Sequence, residues 1–270
     1  MIAKKFTIFG ASGFVGTRLA QHLKNAAHPV IAVTRSNVPP HGADLGHVVY
    51  AIGITADFRN RPFDTVAAHV SRLAEVLQNY KFDSFLYLSS TRLYRGAASA
   101  QEDAEIPISP SDPERLYDAT KLAGEALCLA LNRVAVRVAR LSNLYGLNNH
   151  SENFLSQVLS EALRIGRVTI QTGPQSAKDY LHVDDACSAL TSIALGGQSR
   201  IFNVASGRNV TNQEIARLVA EHTKAEVYFA LGKPNIIFPP IDTNRLASEF
   251  SWHPRLLKDT FSELIEKFVA

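Results

Sequence analysis

Short runs of β-branched and aromatic residues alternate along the first half of the chain with stretches whose apolar positions recur every three or four residues. The runs predict strands over residues 5–9, 30–34, 48–52, 85–89 and 134–139, and the helical periodicity falls over 13–25, 65–79 and 112–131. Residues 30–34 are continuously apolar, which predicts a strand buried on both faces. Strand and helix in strict alternation argue for an α/β fold, an open, doubly wound parallel sheet covered by helices on both sides. Residues 35–47 contain Pro39-Pro40 and are too few for a helix plus a strand, so they read as a pared-down crossover. Beyond residue 145 the alternation weakens. Helices are expected at 152–165, from Asp184, and at 212–222, 242–250 and 257–268, with strands at 168–172 and 201–204. The reading is a sheet domain over 1–146, completed by parts of 178–206, and a smaller interleaved C-terminal lobe over 147–270.

The helix at 112–131 has a clear start. Ser111-Asp112-Pro113-Glu114 matches a capping box, with Ser111 as N-cap and Glu114 three positions on. Leu116, Thr120, Ala123, Leu127 and Ala130 form a stripe expected to face the core, with Tyr117, Lys121, Gly124 and Cys128 beside it. Tyr117 and Lys121 stand four apart, so phenol and ammonium share one face. A phenol ionises near pH ~10, and a nearby cation favours its anion. Bringing it to ~7 takes about 4 kcal/mol of preferential anion stabilisation.

Composition changes the picture only by exclusion. With 46% hydrophobic and 20% charged residues and a net charge of +3 over 270 residues, the chain has the balance of a globular enzyme. No dense Lys/Arg block suggests nucleic acid. Cys128 and Cys187 read as buried free thiols, and the nine histidines show no metal-ligand spacing, so no metal is expected. The amino-terminal apolar stretch after Lys4-Lys5 is broken by three glycines and Arg18, unlike a secretion signal, and no apolar run reaches ~18 residues. A cytoplasmic protein is the expectation.

Three segments carry candidate chemistry. Gly10-Ala11-Ser12-Gly13-Phe14-Val15-Gly16 follows a strand and opens a helix, where glycines let the backbone approach a pyrophosphate and the helix terminus supplies N–H groups. Thr34-Arg35-Ser36 ends the second strand without the acidic residue that would bind an NAD ribose. Arg35 and Ser36 can instead meet the 2′-phosphate of NADP, or stand as a solvated loop. Leu86-Tyr87-Leu88-Ser89-Ser90-Thr91 places hydroxyls at the carboxyl edge of the sheet, where they can hold a substrate oxygen or satisfy a local turn.

Together with Arg140-Leu141-Ser142-Asn143-Leu144-Tyr145-Gly146, the run from Lys178 to Asp185 and Phe202-Asn203-Val204-Ala205-Ser206-Gly207, these segments resemble the extended short-chain dehydrogenases/reductases, the NAD-dependent epimerase/dehydratase family of nucleotide-sugar enzymes. The resemblance spans nearly the whole chain and implies a Rossmann-type sheet. It implies Tyr117 as catalytic acid/base, Lys121 as ligand of the nicotinamide ribose that lowers the tyrosine pKa, and Ser90 as the hydroxyl ordering the reacting oxygen. Thr91 and Asn143 fall where substrate is met, Lys178 where a basic residue often meets the substrate diphosphate. His182, Asp184 and Asp185 are assigned to structure, the aspartates as helix caps.

Two departures refine this. Dehydratases of the family carry an Asp-Glu pair after the catalytic hydroxyl, and here the positions hold Thr91 and Arg92. Lys178 replaces a common arginine and cannot grip phosphate in a bidentate way. The expectation is hydride transfer at a hydroxyl or keto carbon of a sugar-like substrate, with NADP favoured and NAD possible, by a reductase or epimerase rather than a dehydratase. The alternative is an NADP-binding regulatory or assembly protein. The resemblance further implies a homodimer on the helices at 65–79 and 112–131, with Ala123 and Gly124 allowing close contact.

Overall fold

The computed structural model describes residues 2–146 and 153–269. The chain runs β1 (Phe6–Phe9), α1 (Phe14–Asn25), β2 (Val30–Val33), β3 (His47–Tyr50), α2 (Pro62–Val66), α3 (Arg72–Asn79), β4 (Ser84–Ser90), α4 (Leu116–Ala130) and β5 (Val136–Leu141). It continues through β6 (Asn143–Tyr145), α5 (Phe154–Ile165), β7 (Arg167–Ile170), β8 (Ala177–His182), α6 (Val183–Gly196) and β9 (Ile201–Val204). Last come β10 (Asn209–Thr211), α7 (Asn212–Thr223), β11 (Glu226–Phe229), α8 (Asn244–Phe250) and α9 (Leu257–Val269). Glu152, the expected start of α5, lies outside the described residues; Asn153 caps that helix by accepting from Ser156 N at 2.9 Å.

Six strands form one sheet in the order β2-β1-β3-β4-β5-β9, every pair parallel. This is the doubly wound sheet the alternation predicts. Successive side chains point to opposite faces, and both faces are buried. Phe6, Ile8, Leu86 and Leu88 pack with α1 and α6, while Phe9, Phe85 and Tyr87 pack with α3 and α4. Of the region 178–206, Ile201–Val204 joins this sheet as β9, and β8 pairs instead with β6 and β10. A further core joins α5, α7 and α9 through residues such as Leu159, Val219 and Phe261.

Several expectations are corrected. The strand at 30–34 is not buried on both faces, because the strand order puts β2 at the sheet edge, and Ile31 is 37% exposed. The cap before α4 is Asp112, which accepts from Glu114 N at 2.9 Å and leads into a short 3₁₀ turn at Pro113–Arg115. Glu114 is drawn away from capping into ion pairs with Arg59 and Arg92. The buried face of α4 is also shifted from the expected stripe: of that stripe only Thr120 is buried, with Tyr117, Lys121, Gly124, Glu125 and Cys128 beside it, whereas Ala123 and Ala130 are exposed. Polar residues face inward there because the helix lies over a site and over the buried Glu125–Arg140 pair, at 2.7 Å. Asp184 and Asp185 are structural as expected, but as partners of Arg18 and Arg255, while His182 supplies the cap by accepting from Asp184 N at 3.2 Å. The two cysteines are free and buried.

The helix predicted at 65–79 is interrupted by a π-helical turn at Ala67–Ser71. It lies against α4 at Gly124, where an added Cβ would fall 2.4 Å from the Tyr87 hydroxyl oxygen and 2.8 Å from His69 O. Gly124 is therefore consumed inside the monomer and gives no surface for a second copy. Gly124→Ala is expected to lose about 1–3 kcal/mol of stability through overpacking, despite alanine's better helix propensity. Urea unfolding measures this, and an unchanged or raised midpoint would contradict the tight contact.

Candidate active site

The strand order reverses at β1, with β2 on one side and β3 on the other. Ligands of open parallel sheets bind at the carboxyl ends of strands beside such a reversal. A cavity of about 700 Å³ opens there, walled by Gly13–Gly16 of the first turn, by Ala51, Gly53 and Thr55 after β3, and by the end of β4. Tyr117 and Lys121 of α4 line it too, as do Asn143, Lys178 and Phe238.

The glycine turn is built as its spacing predicts. Gly13 N–H donates to Gly10 O at 3.1 Å, and α1 then starts from Gly13 with no side-chain cap. The first N–H groups of such a helix need an outside acceptor. A Cβ on Gly16 would lie 2.2 Å from Gly10 O, so only glycine lets the turn fold this tightly. The cradle thus fits an anionic dinucleotide backbone. Phe14 and Val15 line the cavity with Gly13 and Gly16, whereas Gly10 forms the bend behind them and Ser12 is exposed. Arg35 and Ser36 sit exposed at the end of β2, on the same sheet edge, outside the cavity wall. Thr34 N–H and its hydroxyl both donate to Asn37 Oδ1, shaping that loop.

Tyr117 is 4% exposed, its ring against Phe58 (centroids 5.7 Å) and edge-on to His69 (5.3 Å). Burial holds its phenol above the ordinary range, opposed by the polar Ser90 and Thr55 hydroxyls and by the Arg92 charge. Among the protein groups acting on the phenol burial prevails, and Arg92 is a cation that pulls it down. Lys121 is itself brought down to about 7 by burial, with Glu125 acting against the shift. Its ammonium donates to Leu88 O at 2.8 Å and sits 5.0 Å from the Tyr87 ring centre. Phenol and amine are thus both pushed toward neutrality, and the phenol holds its proton more tightly than the ammonium does.

His69 is a site residue that the sequence reading missed. It is fully buried, and desolvation with the Lys121 charge brings it down to about 2, so it is neutral. Ile54 N–H donates to its Nε2 at 3.3 Å, which leaves the proton on Nδ1 for Thr120 Oγ1 at 2.8 Å. Thr120 donates in turn to Tyr117 O at 3.0 Å. One ring thereby fixes the loop after β3 to the first turn of α4. The only sequence signal was a histidine within an otherwise apolar helical pattern.

Ser90 accepts from Arg92 N at 3.2 Å and borders the same cavity as Tyr117. Thr91 borders the cavity, and its hydroxyl donates to Leu141 O at 3.3 Å. Asn143 lies in β6 rather than in a turn and donates to Asp179 O at 2.8 Å. Two carboxylates border the cavity among the described residues, Glu114 and Asp179. Glu114 is held by Arg59, whose hydrogen bonds lower its pKa, and Asp179 accepts from Ser206 N, Ser206 Oγ and Arg208 N.

The sequence profile of the NAD dependent epimerase/dehydratase family matches residues 6–67 and 47–205. The chain belongs to this family. Within it, the dTDP-glucose 4,6-dehydratase of Streptomyces niveus is 27% identical over 235 residues, covering 84% of this chain and 68% of that protein. The fold is shared with a UDP-glucuronic acid 4-epimerase from Bacillus cereus in complex with UDP-glucuronic acid and NAD, at TM-score 0.77 and 17% identity over 98% of this chain and 99% of that one. RMD from Pseudomonas aeruginosa, complexed with NADPH, gives TM-score 0.76 at 22% identity over 98% and 99% of the two chains. The family's glycine turn, tyrosine, lysine and strand-end serine converge on one cavity, as the resemblance implies. Among the described residues no helix is long and apolar enough to cross a membrane.

Proposed function

We propose that the protein catalyses reversible hydride transfer at a hydroxyl or keto carbon of a nucleotide sugar, with NADP as the favoured cofactor, as a reductase or epimerase. The observation that carries this reading is the buried Tyr117 phenol on the cavity wall, which it shares with Ser90 and with Lys121 four residues on. A bound nicotinamide would supply or accept the hydride. Tyr117 gives its proton to, or takes it from, the reacting oxygen, and Ser90 holds that oxygen in line. Lys121 binds the nicotinamide ribose and returns the proton to the phenol. His69 keeps the loop after β3 against this machinery.

The named relative is a dehydratase, and the residues here favour a different outcome. Elimination needs an acid and a base beside the sugar, and Thr91 and Arg92 offer neither. Glu114 and Asp179 are each occupied by other partners. The cofactor preference rests on Arg35 at the end of β2, with no carboxylate beside it to claim a ribose. Fluorescence titration is expected to give a dissociation constant for NADPH at least about tenfold below that for NADH, an advantage that Arg35→Ala removes. Absorbance at the reduced nicotinamide band, with UDP- and dTDP-sugars, then separates the outcomes. A reductase consumes NADPH in proportion to product, and an epimerase converts substrate without net consumption. Release of water to form a 4-keto-6-deoxy product would overturn the proposal, as would binding without any turnover.

A further inference from the structure

Five cations border the cavity (Arg59, Arg92, Arg95, Lys121 and Lys178) against the two carboxylates Glu114 and Asp179. The excess is concentrated at two residues. Arg92 lies two positions after Ser90, its guanidinium 5.4 Å from the Tyr117 ring centre and 5.0 Å from that of Phe58. Its Nε donates to Asp118 Oδ1 and its Nη2 to Glu114 O, both at 3.1 Å, which leaves Nη1 over among the described residues. Arg92 also pairs with Glu114 at 3.6 Å, but neither carboxylate is its own: Arg115 and Arg95 share Asp118 at 3.2 and 3.7 Å, and Arg59 shares Glu114.

Lys178 reaches the same cavity from β8, half-buried and with no ion pair or hydrogen bond among the described residues. Its neighbour Asp179 is turned to Ser206 and Arg208 and leaves it unpaired. Burial and the charge of Arg92 both lower its pKa, so the two cations on this cavity repel each other. A half-buried cation repelled by another cation is costly unless something anionic comes between them. The Ser89 hydroxyl, 4% exposed and unpartnered among the described residues, borders the same cavity.

We propose that Arg92 and Lys178 together bind a carboxylate carried by the sugar beside its reacting carbon, so that the substrate is an acidic nucleotide sugar of the uronate type. This rests on the function proposed above and narrows it. The position of Arg92 argues for the sugar's own carboxylate. Its guanidinium shares the Tyr117 ring environment, so an anion it holds lies within one sugar ring of the reacting oxygen. The diphosphate is the other source of an oxyanion, and the experiment separates the two.

The test titrates UDP-glucuronate and UDP-glucose into protein saturated with NADP⁺, by calorimetry, using the native chain, Arg92→Gln and Lys178→Met. Lys178 has no partner to lose, so the second variant stays informative if Arg92→Gln is destabilised through Asp118. The native protein is expected to prefer UDP-glucuronate by about tenfold or more. In both variants the preference is expected to fall to about twofold while UDP-glucose affinity stays unchanged. An equal loss for both sugars would assign the cations to the diphosphate and overturn the proposal, as would native protein that binds UDP-glucose as tightly as the acid. If neither sugar binds but NADPH is oxidised with another nucleotide sugar, the carboxylate proposal falls and the hydride-transfer reading stands.

Discussion

Tyr117→Phe is expected to lower kcat by about 10²–10⁴ while leaving cofactor affinity within about twofold. The substitution removes one oxygen and keeps the ring, so packing against Phe58 and His69 survives. The missing atom is the one that the Ser90 and Thr55 hydroxyls act on and that the proposed mechanism directs at the reacting oxygen. Stability is expected to change by less than about 1 kcal/mol, because a buried hydroxyl is exchanged for a hydrogen and its partners still border an open cavity. A single-turnover measurement with saturating cofactor isolates the chemical step. If the variant keeps full kcat, the acid/base belongs to another group and the mechanism proposed above is wrong.

Lys121→Met is expected to abolish turnover and, at the same time, to stabilise the protein at neutral pH. The amine is buried and its pKa lies at about 7 in the folded chain. An unfolded lysine titrates near ~10.4, so between those values the unfolded chain binds the extra proton. Stability of the native protein therefore rises with pH from about 7 to 10, as the cost of a buried ammonium is relieved. Below about 7 both states carry the proton and the cost is present in full, on the order of a few kcal/mol. Methionine removes this cost and fills the same volume, although Leu88 O loses its donor. Urea unfolding at pH 7 and pH 9.5 checks the sign: the advantage of the variant should be larger at pH 7. An advantage that is absent at pH 7, or that grows with pH, would show that a charged amine is well accommodated there.

Much of the site was legible because its key residues are close in sequence. The glycine turn needs seven consecutive positions, and Tyr117 and Lys121 need one helical turn. Ser90 was marked by standing where an apolar run ends. Thr55, Phe58 and His69 were not legible, since they reach Tyr117 from a loop and a π-turn about 50–60 positions away. Arg92 was read only as a missing carboxylate; its stacking near Tyr117 and its charge on the phenol required coordinates. The stripe chosen for α4 failed for a related reason. Apolar periodicity marks the buried face when the core is apolar, and this helix covers a polar site and an internal ion pair.

By itself, the sequence determined the strands of the central sheet and the helices between them, since periods of 2 and 3.6 record burial locally, but not the short strands β6, β8, β10 and β11. It likewise determined the glycine turn, whose backbone demands are met within a few residues. Only the tertiary structure decided the strand order, and with it the edge position of β2 and the reversal that opens the cavity. It also decided the charge states. Burial raises Tyr117, brings Lys121 down to about 7 and leaves Arg92 to repel an unpaired Lys178. Desolvation and Coulomb interactions depend on which distant segments surround a group, and no local pattern encodes that.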